Sequence, residues 1–249
     1  MTKHLSNLIS IAALSLLMTG CGTTSNIKEI APTPKVSAIV STDLHYPIDV
    51  YDPWEGFNRR MYNFNTKFDR YIFIPVVNAY EAVLPDPVED SISNFFSNLG
   101  EIGNFANSLL QLKGKAMASA ASRFAINTTV GILGFFDPAT YFGINELDED
   151  FGQTLSYWGA GSGPYLVLPV FGPSSVRDTA GLAVDAWLDN EVDLLNYDDH
   201  TNREAVVVTV KAIDARHNVS FRYLQGSTPF EYEKIRYLYT KKRELDALK

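Results

Sequence analysis

The sequence has one cysteine, four histidines and no concentration of positive charge. A single thiol cannot close an internal disulfide or build a multi-thiolate metal site. Lys and Arg number 21 against 29 Asp and Glu, a net charge of −8. With no basic cluster, this balance argues against nucleic acid as a partner, because phosphate backbones are repelled on average. Catalytic signatures are missing too. There is no Gly-x-Ser-x-Gly elbow and no His-Glu-x-x-His helix, and His45, His200 and His217 have no nucleophile beside them in any local motif. Charge is scarce in long stretches: residues 151–176 carry none, and residues 124–145 carry only Asp137. What remains is 46% hydrophobic and 12% aromatic over 249 residues, ample for a packed core and incompatible with global disorder. Sixteen Gly and twelve Pro follow no period, which excludes a collagen-like repeat.

The lone cysteine is Cys21. Before it stand a short basic start at Lys3 and His4, an apolar run from Leu5 to Met18, and the small pair Thr19-Gly20. The run is short for a spanning helix and has the form of a secretory signal. Met18-Thr19-Gly20-Cys21 resembles a bacterial lipobox, with Met18 standing where Leu is usual. The resemblance implies that residues 1–20 are removed and that Cys21 carries the lipid anchor. Loss of Lys3 then takes the charge to −9. Gly22 in place of Asp implies sorting to the outer membrane.

Residues 21–50 read as an acylated N-terminus and flexible tether, rich in Thr, Ser, Asn and Pro without apolar period. Residues 51–188 form a charge-poor body, with 8 Lys/Arg and 15 Asp/Glu in 138 positions. Residues 189–249 form a charged C-terminal region, with 10 Lys/Arg and 11 Asp/Glu in 61. Three Pro-containing capping boxes, Asp52-Pro53-Trp54-Glu55, Asp86-Pro87-Val88-Glu89 and Thr228-Pro229-Phe230-Glu231, predict helices beginning near 53, 87 and 229. Phe57, Met61, Phe64, Phe68 and Tyr71 recur at helical spacing until Pro75, which ends or bends the run. Val88, Ile92, Phe95, Leu99, Ile102, Phe105 and Leu109 do the same. Further helices are expected over 115–129 and within 203–222, and no alternating run is long enough to predict a sheet. The expected class is all-α.

The charge-free segments are as long as membrane spans, yet the first contains Gly152, Gly159, Gly161, Gly163, Gly172, Pro164, Pro169 and Pro173. Such a backbone turns repeatedly, and irregular backbone at membrane depth survives only where protein buries it or it lines a cavity. These segments read as re-entrant or in-plane elements of a domain partly embedded in one leaflet. The acidic run Glu146, Asp148, Glu149 and Asp150 lacks the spacing and glycine of a calcium loop and reads as a solvated loop.

Several motifs in order carry a family resemblance: Asp52-Pro53-Trp54-Glu55-Gly56-Phe57-Asn58-Arg59, Met61-Tyr62-Asn63-Phe64-Asn65, Asn107-Ser108-Leu109-Leu110-Gln111, Arg123-Phe124-Ala125-Ile126-Asn127-Thr128, Phe151-Gly152-Gln153-Thr154-Leu155 and Gly163-Pro164-Tyr165 through Ser174. Together they resemble the MlaA/VacJ family of outer-membrane lipoproteins over residues 51–185, with a looser echo in 222–244. The resemblance implies an all-helical, ring-like protein in the inner leaflet of the outer membrane, with amphipathic helices around a central channel. It implies removal of misplaced phospholipid from the outer leaflet and delivery to a periplasmic carrier, with a porin trimer as scaffold and no cofactor, metal or catalytic residue.

On this reading Gly159, Gly161, Gly163 and Tyr165 are candidates for the lipid path, since glycine exposes backbone dipoles and tyrosine joins a hydroxyl to an apolar body. Phe57, Met61, Phe64 and Phe68 are candidates for packing or leaflet contact, and Asn58 and Arg59 for satisfying the first turn and surface of their helix. Gly159-Ala160-Gly161-Ser162-Gly163 fails as a dinucleotide fingerprint, because Pro164 follows and no clear strand precedes. Two alternatives stay open at this point: a porin-associated structural lipoprotein that moves no lipid, and a phospholipase.

Overall fold

The computed structural model describes residues 50–192, 203–224 and 230–248. The signal at 1–20, the Cys21 anchor, the tether up to residue 49, His45, His200 and the Thr228-Pro229 start of the third box lie outside the described residues.

Helix α1 covers Glu55–Phe68. Its inward face carries Asn58, Tyr62 and Asn65 at helical spacing, continued by Asp69 just past its end, all buried. Phe57 and Phe64 lie on the exposed side, so this part of the apolar stripe points outward, while Met61 flanks the core. The expected capping box does not form. Trp54 occupies the N-cap without a side-chain bond, because the Asp52 carboxylate has turned inward to Asn58 Nδ2 at 2.7 Å and Arg236 at 2.9 Å. A π-helical turn, Asp69–Phe73, joins α1 to α2, Ile74–Val83. It falls directly before Pro75, whose missing amide and bulky ring a wider turn absorbs. Pro75 therefore does not end the helical run.

Helix α3, Asp86–Leu110, starts where the second box places it, but with Pro85 at the N-cap and no capping side chain. At 25 residues it is about 37 Å long. A three-residue turn returns the chain as α4, Gly114–Thr129. The inner faces are polar: Asn98, Glu101, Asn104, Asn107 and Ser108 on α3 and Arg123 and Asn127 on α4 are buried, with Glu101 bonded to Arg123, while Ala116 and Ala120 on α4 are buried too. The stripe from Val88 to Leu109 is turned away, with Val88, Phe105 and Leu109 exposed. Among the described residues no helix is long and apolar enough to cross a membrane.

Two short helices follow, α5 (Pro138–Tyr141) and α6 (Phe151–Tyr157), capped by the side chains of Asp137 and Asp150. Next comes a feature the sequence did not predict, an antiparallel hairpin of β1 (Tyr165–Leu168) and β2 (Gly172–Ser175) in register Tyr165 with Ser175. Helices α7 (Val176–Val192), α8 (Arg203–His217) and α9 (Glu231–Asp246) complete the chain. The apolar core is small: Tyr62, Tyr165, Val167 and Tyr232, flanked by Met61, Tyr223, Ile235 and Tyr239. Helices α6 and α7 cross at Gly152 and Gly181, where a Cβ on Gly181 would stand 2.4 Å from the Gly152 nitrogen. No backbone tolerates that approach. Gly181→Ala should separate the two helices and cost roughly 2 kcal/mol, read as a lowered unfolding midpoint in detergent.

Candidate functional site

Much of the interior is built from polar groups that pair with one another. Arg123 is 2% exposed and joins four elements. Its Nε donates to Glu101, its Nη1 to Thr140 Oγ1 at 2.9 Å and to the Ile144 carbonyl at 2.8 Å, and its Nη2 to Asp137 at 3.1 Å. Asp137, the one charge in its segment, also accepts from Asn127 Nδ2 at 2.9 Å and from the Thr140 amide at 3.1 Å. Beside this web Thr154 Oγ1 donates to Asn107 Oδ1 at 2.9 Å and accepts from Gln111, and Asn107 Nδ2 donates to Asp185 at 3.0 Å. A buried ion pair offsets its desolvation only when such extra bonds satisfy the remaining donors and lone pairs. Here they do.

The hairpin is held by two amide clamps. Asn58 donates to the Tyr165 carbonyl at 3.0 Å and accepts from the Val167 amide at 2.8 Å. Asn65, two helical turns on, donates to the Leu168 carbonyl at 2.8 Å and accepts from the Val170 amide at 2.7 Å. A carboxamide offers the same donor and acceptor as a peptide group, so each asparagine stands in for a neighbouring strand. Asn58 is thus not a first-turn surface residue but one of the least exposed side chains in the protein, and Arg59 reaches across to Glu233 of α9.

The acidic run is likewise more than a solvated loop. Glu149 is buried and pairs with Lys113 at 3.0 Å. Asp150 caps α6 and receives both terminal nitrogens of Arg243, at 2.6 and 2.8 Å. Arg243 also reaches Asp178 at 2.9 Å, which Tyr239 Oη joins at 2.7 Å. Burial alone would raise the Asp178 carboxyl, but the bonds from Arg243 and Tyr239 and the arginine charge outweigh it and bring it down to about 2. The same balance lowers Asp150. The tail helix α9 is thereby latched to the body by Arg236 on Asp52 and Arg243 on Asp150 and Asp178.

The outer surface is the complement. Val130, Ile132, Leu133, Phe136, Tyr141, Phe142, Trp158 and Phe171 are all exposed. Among the described residues, the non-glycine positions with positive φ are Leu112, Ile132, Leu133, Val170 and Leu224, every one aliphatic and exposed. In water such turns use Gly, Asn or Asp, because a branched aliphatic residue pays about 1 to 2 kcal/mol there. Retaining Ile and Leu at turn tips is favourable where an apolar medium surrounds them.

Of the sequence-predicted residues, Gly163 and Tyr165 come together in the wall of a cavity of about 370 Å³ between the hairpin and α9. Tyr165 belongs at the same time to the aromatic core, with ring centroids 6.2 Å from both Tyr232 and Tyr239. Gly159 and Gly161 are exposed, with nothing within 4 Å of where a Cβ would stand, and Gly159 has φ +90°. Phe57 and Phe64 face out, Phe68 stacks on Phe64 at 5.8 Å and meets Phe73 at 5.1 Å, and Met61 flanks the core. The buried amides were missed because Asn at helical spacing reads as a solvent face. The signal that could have found them is that the polar stripe of α1 and α3 is rich in Asn while the opposite stripe of these two helices is bulky.

The MlaA lipoprotein family matches residues 50–246. An uncharacterised protein of Rickettsia prowazekii (strain Madrid E) is 34% identical over 172 residues, 69% of this chain and 67% of its own length. The intermembrane phospholipid transport system lipoprotein MlaA of Escherichia coli (strain K12) is 39% identical over 140 residues, 55% of this chain and 56% of its own. A solved structure that describes the basis for maintenance of bacterial outer-membrane lipid asymmetry superposes with a TM-score of 0.66 at 32% identity, covering 80% of this chain and 100% of that one.

Two outcomes follow from this geometry. Asp178 contributes stability that is fully present above its unfolded value of 3.8 and is lost as pH falls through about 2, roughly 2 kcal/mol in all. Limited proteolysis between pH 4 and pH 2 should release α9 progressively, and Asp178→Asn should release it already at neutral pH. Leu133→Asn, which relaxes the left-handed turn, should stabilise the fold by about 1 kcal/mol, read as a raised unfolding midpoint in detergent, while reducing partition into bilayers.

Proposed function

This chain belongs to the MlaA lipoprotein family, and from that membership we propose that it withdraws phospholipids misplaced in the outer leaflet of the outer membrane and hands them to a soluble periplasmic carrier. The protein is anchored through Cys21 in the periplasmic leaflet, with its body partly embedded there and a porin trimer as its scaffold. The observation that carries the reading is the inverted polarity: amides, carboxylates and guanidinium groups inside, aliphatic and aromatic side chains outside. That arrangement suits a body wetted by acyl chains. It also offers what a headgroup needs to cross hydrocarbon, since the cost of stripping water from a phosphate falls when fixed polar groups replace it.

In this mechanism the tails stay in lipid while the headgroup follows polar backbone and side chains through a channel within the body. No bond is made or broken, and the protein returns the lipid intact. Gly159, Gly161 and Gly163 line the route, where they expose peptide dipoles and leave room for the ligand. The E. coli relative is named for phospholipid transport, and the superposed structure for lipid asymmetry. Both support the direction of the proposal.

The test is expression of the full chain in a host lacking its own family member, with outer-leaflet phospholipid measured by its accessibility to added phospholipase. Restoration of the low outer-leaflet level is expected. An unchanged high level despite correct membrane localisation would sink the transport reading. Release of fatty acid or lysolipid by the pure protein would instead favour a phospholipase. Gly161→Val is the clean path variant, because a Cβ there meets nothing. It should leave folding intact and lower export at least severalfold, and full activity would remove Gly161 from the route.

A further inference from the structure

We propose that the outer face of α1 and of the π-helical turn docks on anionic phospholipid headgroups in the leaflet that holds the body. This rests on the embedded body of the reading above, not on lipid transport, and adds which lipids that face meets and through which side chains.

Four basic residues, Arg59, Arg60, Lys67 and Arg70, fall within residues 59–70 without forming a run. Helical pitch sorts them. Arg59 is drawn to Glu55 at 2.7 Å and to Glu233. Arg60, Lys67 and Arg70 are exposed and, among the described residues, form no ion pair. Phe57, Arg60, Phe64, Lys67 and Tyr71 follow one another at steps of three and four, so aromatic rings and cations alternate along a single stripe. All three rings are exposed, Tyr71 the most, and the Arg70 guanidinium stands 5.8 Å from the centre of the Tyr71 ring. The carboxylates of this stretch are engaged elsewhere, Glu55 with Arg59 and the buried Asp69 with Arg216. In a chain of net charge −8, the stripe is positive.

Charge complementarity calls for an anion, and the spacing calls for a surface. Arg60 and Lys67 lie about 10.5 Å apart along the axis, too far to share one phosphate, so the stripe suits a field of separate anionic groups. The rings suit the same place, because aromatic side chains settle at headgroup depth while Lys and Arg beside them reach anionic lipid. The run then passes into α2, which has no Lys or Arg and exposes Val76 and Val83. Its one carboxylate, Glu81, is held by His217 at 2.9 Å. A positive, aromatic stretch that becomes aliphatic along one helical run fits the passage from headgroups to acyl chains, and does not fit the face of an acidic protein.

The experiment uses the full chain reconstituted in dioleoyl phosphatidylcholine vesicles, with Trp158→Phe and Trp187→Phe leaving Trp54, at the start of α1, as the one indole. Its fluorescence is quenched with dibrominated phosphatidylglycerol or dibrominated phosphatidylcholine at equal mole fraction. Phosphatidylglycerol is expected to behave as a lipid held about fivefold more tightly, the factor that one cation near a bilayer surface supplies, and about 0.5 M sodium chloride should remove most of the difference by screening. Arg60→Gln, Lys67→Gln and Arg70→Gln together should erase the preference while leaving quenching by phosphatidylcholine and the unfolding midpoint unchanged, since glutamine keeps the helix propensity. Arg60→Lys with Arg70→Lys should retain the preference. Equal quenching by the two lipids before the charges are removed, or a preference that survives the triple substitution, overturns the inference. Absence of quenching by either lipid overturns it too, and the embedded reading with it. If lipid asymmetry is restored in the host by a chain that shows no preference, only this inference fails. A clear preference without restoration upholds the face and sinks the transport reading.

Discussion

A polar group sealed between helices has to find its partner within the protein, and in this chain that requirement falls on the centre of the body. Arg123 with Glu101 and Asp137, Asn107 with Thr154 and Asp185, and Arg243 with Asp150 and Asp178 take the positions that aliphatic side chains fill in a water-soluble bundle. The stabilisation they add is modest, because each pair gives up hydration on folding. The penalty for breaking one is large, because the orphaned charge stays buried. The fold is therefore specified by pairing more than by volume. This explains why asparagine, flexible in role but strict in geometry, recurs on the inner faces of α1 and α3.

The same requirement governs the edges. The hairpin would expose unpaired peptide groups on the side facing α1, and Asn58 and Asn65 supply them. The C-terminal helix would have little to hold it, since its buried face contains Arg236 and Asp246 alongside Tyr232. Ion pairs to three separate parts of the body fix it in place. With the polar groups committed inward, the bulky side chains are left for the outside, and the turn tips follow the same logic with aliphatic residues in left-handed conformations.

Helix positions were legible in the sequence, because Pro and Gly leave marks that do not depend on context. The starts of α1 and α3 fall within two residues of their boxes. The direction of the amphipathic faces was not legible. Periodicity reports that Phe57, Met61, Phe64 and Phe68 share a side, but not whether lipid or protein lies against it. The caps were misread for a related reason: Asp52 had a stronger offer from Asn58, Tyr232 and Arg236, the last two some 180 residues away. The hairpin escaped notice because Tyr-Leu-Val-Leu does not alternate and Gly-Pro-Ser-Ser is a poor strand by composition. Its pairing is completed by side chains of a helix, which no local pattern announces.

The spacing of the two clamps has a metric meaning. Seven residues of α-helix advance about 10.5 Å, and three residues of strand advance about 10 Å. Asn58 and Asn65 are seven apart, and the carbonyls they hold, on Tyr165 and Leu168, are three apart. The two repeats are commensurate over this one interval, so α1 acts as a ruler against which β1 is laid. One clamp alone would leave the hairpin free to pivot. Two at matched pitch set both its position along the helix and its tilt, without a single strand-to-strand bond on that side.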